Sequence, residues 1–144
     1  MRSDTDRRLA LSLAVARLAT GAFFLVWSLE KVIAPELARG VYTTFYFSNP
    51  TDTMIIAMGI VQTAFVLAFM AGLFRRWTYG ALLLMHAASV TLSSARLIDP
   101  FTGPNQLFWA GVPVLALLFA LYLLRDEDTM FVLRPAAKPS QESP

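Results

Sequence analysis

Arg17, Gln62 and His86 are the side chains best suited to chemistry in this chain, because each lies within a long apolar run. A guanidinium is a permanent cation, a carboxamide both donates and accepts, and an imidazole titrates near neutrality. Polar groups inside lipid are costly, and they mark either a functional position or a contact between helices. One reading sets His86 and Gln62 against the ring oxygens of a quinone, or another polar head, with Arg17 or Lys31 compensating charge. The other makes His86 a neutral imidazole hydrogen-bonded to a neighbouring helix, with Gln62 as its partner. Both readings stay open on the sequence.

A second group, Glu30, Lys31, Arg96 and Asp99, falls at a common depth near the outer ends of the first and third runs. It forms either a compensated ion cluster or four separate interfacial charges. Arg17, Gly21, Phe24, Ser28 and Lys31 follow helical steps of three and four, so they share one stripe. The stripe's two cations serve as headgroup anchors or line an inward seam, and Gly21 and Ser28 admit a close neighbour. His86, Ser89, Ser93 and Arg96 make a similar stripe further on. No catalytic residue and no metal site is assigned: histidine occurs once, cysteine is absent, and no carboxylate pair lies within the apolar runs. No resident cofactor is expected, a quinone excepted.

Positioning these groups falls to four apolar stretches, Leu9 to Ala34, Met54 to Phe74, Trp77 to Ala95 and Leu107 to Leu124. Each reaches or approaches the ~20 residues that a helix needs to cross ~30 Å of hydrocarbon. With 56% hydrophobic and 15% charged residues, the chain lacks the polar surface of a water-soluble bundle of its size. The sequence therefore predicts an all-α integral membrane four-helix bundle. Residues 1–8 make a short leading segment, 9–125 the bundle, and 126–144 a tail. The net charge of +2 does not point to nucleic acid, because Lys and Arg sit at span ends and not in a patch interleaved with aromatics. Arg2, Arg7, Arg8, Arg75, Arg76, Arg125, Arg134 and Lys138 fall on one side of a four-span layout, against Lys31, Arg39 and Arg96 on the other. That asymmetry predicts both termini in the cytoplasm. Asp4 and Asp6 in the leading segment, and Arg17 in the first run, favour a retained helix over a cleaved signal.

Local signals fix the boundaries. Pro35 ends the first span, and the stretch from Glu36 to Asp52, with Tyr42, Phe45, Tyr46 and Phe47, reads as a short segment on the outer interface. Thr51 or Asp52 caps the second span. Pro113 should bend the fourth, and the acids after Leu124 should stop it. The last ten residues are expected to be disordered.

Arg17-Leu-Ala-Thr-Gly21-Ala-Phe-Phe-Leu running on to Lys31, Gly59-Ile-Val-Gln62 followed by Gly72-Leu-Phe-Arg75-Arg76, and Asn105-Gln106-Leu107 together resemble DoxX-like membrane proteins. The resemblance spans about residues 9 to 125, with motifs of low specificity. It implies a four-helix bundle in the bacterial inner membrane, in a group that includes the DoxD-type subunit of thiosulfate:quinone oxidoreductase and MauE-type maturation proteins. Ser28 stands where that pattern has glycine, and Gln62 replaces a frequent glutamate, which removes a titratable group. The leading expectation is an accessory or anchor subunit without catalytic residues, docking another membrane or periplasmic protein or a second copy of itself. The rivals are a quinone-interacting oxidoreductase subunit and a small-molecule or lipid carrier.

Overall fold

A computed structural model describes residues 3–133, and among these the regular structure is entirely helical. The first helix, α1 (Asp4–Ile33), begins five residues ahead of the apolar run. Ser3 and Asp6 explain the early start: each side chain accepts the other's backbone N–H at 3.1 Å, and Asp4 and Asp6 complement the helix dipole. At ~1.5 Å per residue, α1 is about 45 Å long, well beyond the hydrocarbon thickness. It breaks at Ala34, where the following proline disfavours helical backbone.

Pro35 then opens α2 (Pro35–Phe45), a use suited to its missing donor. The first part of the aromatic stretch is thus a helix that contains Tyr42 and Phe45, while Tyr46 and Phe47 lie beyond its end. It packs against α1 and α3 (Asp52–Met70), and an Arg39–Asp52 ion pair ties it to the latter. Of the two expected caps for α3, Thr51 is the one that acts, accepting the Met54 N–H at 3.4 Å. α3 stops four residues short of the expected Phe74. Gly72, at φ +69°, ends it in a paired reversal: Gly72 N–H donates to Phe69 O and Leu73 N–H to Ala68 O, both at 2.9 Å.

α4 (Arg75–Leu92) follows after Phe74, itself left-handed at φ +48°, and α5 (Ser94–Ile98) continues past Ser93. The last stretch is a 3-10 helix (Asn105–Ala110) that becomes α6 (Gly111–Leu123). Pro113 therefore falls in the first turn of α6, inside the helical run Asn105–Leu123. The change of helix type two residues before it accommodates the missing donor.

Three helical runs are long and apolar enough to cross a membrane: Asp4–Ile33, Asp52–Met70 and Asn105–Leu123. α4, carrying Arg75, Arg76, Thr78, His86, Ser89 and Thr91, stands outside that group. α1 packs along α3 and α4 along α6, and further contacts of α1 with α6 and of α3 with α4 join the two pairs. Leu13, Phe24, Val66, Phe69, Tyr79, Leu82, Leu118 and Leu121 form the shared core. The α1–α3 crossing depends on Gly59, where a Cβ would lie 2.7 Å from Lys31 Cβ and 3.1 Å from the Ser28 carbonyl. Arg134, Lys138 and the expected disorder of the last ten residues lie outside the described residues, as does Arg2.

Candidate functional site

The most concentrated polar chemistry lies at the Arg75-Arg76 end of the bundle, around Arg17. Its side chain is completely buried, and the headgroup-anchoring reading of it does not hold. Arg17 Nε donates to Asp128 Oδ2 at 2.8 Å, forming an ion pair in which both side chains are fully buried. Nη2 donates to the Met130 carbonyl at 2.6 Å and the Phe131 carbonyl at 3.2 Å, and Nη1 to that of Met70. Tyr79 OH donates to the same Asp128 oxygen at 2.6 Å. The other oxygen, Oδ1, is buried without a hydrogen bond among the described residues. An arginine inside apolar surroundings needs an anion and several acceptors to offset lost hydration, and this constellation supplies both.

Asp128 reaches Arg17 because the chain turns back after α6. Glu127 N–H bonds the Leu124 carbonyl at 3.0 Å, Arg75 Nη1 holds the Arg125 carbonyl at 2.9 Å, and Leu133 N–H donates to Ala71 O at 3.0 Å. Val132 lies against Gly72, where a side chain would displace it. Residues 126–133, read from sequence as the start of a tail, are thus packed against the bundle.

His86 sits elsewhere. It is nearly buried, its Nε2 lies 2.8 Å from the Gly111 carbonyl, and Phe23 and Phe24 meet its ring edge-on at 6.0 and 5.5 Å. Its partner is a backbone carbonyl at the start of α6, not Gln62. Seven residues separate Arg17 from Phe24 on α1, so the His86 level is about 10 Å further along the helix. The side chain of Gln62, half-buried on α3, makes no hydrogen bond among the described residues. Arg17, Gln62 and His86 therefore do not share hydrogen-bond partners.

Of the two readings of the outer charges, the ion cluster is not the one that forms. Lys31 Nζ bonds its own helix at the Trp27 carbonyl, 3.0 Å away. Arg96 Nη1 donates to Asn105 Oδ1 at 3.3 Å, and Asn105 Nδ2 donates to the Asp99 carbonyl at 2.9 Å. No ion pair joins Glu30, Lys31, Arg96 and Asp99, because α5 packs on the 3-10 helix and leaves the end of α1 to α2. Buried Asn105 organises that loop instead.

Sequence reasoning missed Tyr79 and Asp128. The available signal was Arg17 itself, since a cation within an apolar helix demands an anion and the acids after α6 were candidates on the same side. No known protein-family model, curated protein or solved structure matches this chain.

Proposed function

We propose that this chain is a multi-pass protein of a bacterial inner membrane, DoxX-like, with four spans and both termini in the cytoplasm. In this reading it serves as an accessory or anchor subunit of a redox-related system and carries no catalytic residues of its own. The supporting observation is how the polar groups of the apolar helices are engaged: Arg17 by Asp128 and three carbonyls, His86 by Gly111. Those groups hold the fold together, His86 joining α4 to α6 and Arg17 joining α1 to the end of α3 and to the segment after α6. Exposed Val26, Val61, Leu84 and Leu107 suit a lipid-facing surface. The partner is another membrane or periplasmic protein, or a second copy of the chain. Purification in mild detergent should retain an oxidoreductase or membrane subunit in fixed stoichiometry, and recovery of monomer alone across detergents would overturn the proposal.

A second reading is a quinone-interacting subunit. The unbonded amide of Gln62 and the aromatic surroundings of His86 favour it. Stoichiometric quinone in the purified protein, lost in His86→Ala, is its expected signature. A ligand-free bundle would rule it out.

A further inference from the structure

We infer that residues 125–133 are a strap that opens and closes as one unit over the Arg75-Arg76 end, with the Arg17–Asp128 pair as its catch. Helix continuity does not place this segment, since α6 ends at Leu123 and a single turn follows. Side chains anchored on rigid helices place it: Arg17 on α1 holds Asp128 and the Met130 and Phe131 carbonyls, and Tyr79 on α4 holds Asp128. Because one guanidinium carries three of these links, they are made or lost together.

The closed state has little apolar burial behind it. Phe131 and Leu133 are 68% and 73% exposed, and Met130 borders an open depression of about 440 Å³ lined by Ser3, Asp4 and Arg7. It also carries three costs. Asp128 is a fully dehydrated carboxylate, its Oδ1 has no hydrogen-bond partner among the described residues, and Phe131 is held at φ +53°. A segment held by the charged constellation and by peripheral bonds such as Arg75 to the Arg125 carbonyl and Leu133 N–H to the Ala71 carbonyl, against such costs, opens at a lower free energy than the helices around it. Opening strips Arg17 of its counter-ion and two carbonyls and leaves it the Met70 carbonyl alone, so the strap determines whether that end of the bundle presents a buried ion pair or an available cation.

The chain has no cysteine, so single thiols report opening directly. Val132→Cys places one on the strap against Gly72, and Val66→Cys places a control on α3 in the fully buried core. Maleimide labelling of the full chain in detergent should be slow at both positions. Tyr79→Phe, which removes one hydrogen bond to the catch, should speed labelling at position 132 about tenfold. Asp128→Asn, which removes the charge, should speed it on the order of a hundredfold. Labelling at 66 should not change. The inference fails if neither variant changes the rate at 132, if 66 accelerates in step with 132, or if 132 already reacts at the rate of a free peptide thiol. Tyr79→Phe leaves the ion pair in place, so it decides the matter even where Asp128→Asn does not fold.

Discussion

Arg17 and Asp128 each make the other tolerable, so removing one leaves a buried charge without its complement. Arg17→Met or Asp128→Leu alone should cost about 3–5 kcal/mol. The double replacement should cost clearly less than the sum, because it removes both charges together. Thermal unfolding in detergent followed by circular dichroism measures all three, and strictly additive losses would disprove the coupling. His86→Leu should cost about 1 kcal/mol through the bond to Gly111. At this scale the sequence marked Arg17 as a cation within an apolar run, read as a headgroup anchor or as lining an inward seam, and did not choose Asp128 as its partner. Three acids, Asp126, Glu127 and Asp128, follow α6 and look alike as helix-stopping signals. Burial distinguishes them, since Asp126 and Glu127 are exposed and Asp128 is not.

Among the elements, the α1–α3 pair makes the most extensive contact, and Gly59 lets Lys31, Val32 and Ser28 approach its backbone there. Gly59→Val should lose about 1–3 kcal/mol by forcing that crossing apart. Gly40→Ala, on exposed α2 with nothing within 4 Å, should be neutral or gain about 0.5–1 kcal/mol from helix propensity. Equal losses from the two would show that the crossing is not the reason. Apolar runs and Pro35 made most of these elements legible. Their ends were harder: the Ser3–Asp6 cap extends α1 into a charged stretch that hydropathy disregards, and the Gly72 reversal cuts α3 short inside an apolar one. The 3-10 helix had no sequence signature, since Asn105 to Ala110 owes its shape to the buried amide of Asn105 and the Trp109 Nε1 bond to the Leu97 carbonyl.

For the whole molecule, the proposed four-span topology predicts that thiols introduced at Arg76 and at Glu127 label from one side of the membrane and a thiol at Phe47 from the other. Labelling of Arg76 and Glu127 from opposite sides would refute it. The Arg17–Asp128 hydrogen bond joins positions 111 residues apart, and that separation has a consequence for biosynthesis. At roughly 5–20 residues per second, ribosomes need on the order of ten seconds to deliver the aspartate after the arginine has been made. During that interval the first helix waits with an unmatched charge, and a chain cut short before residue 128 keeps it permanently. The ion pair thus forms only after translation has passed residue 128, and products truncated before that point should be more readily degraded by membrane proteases than longer ones.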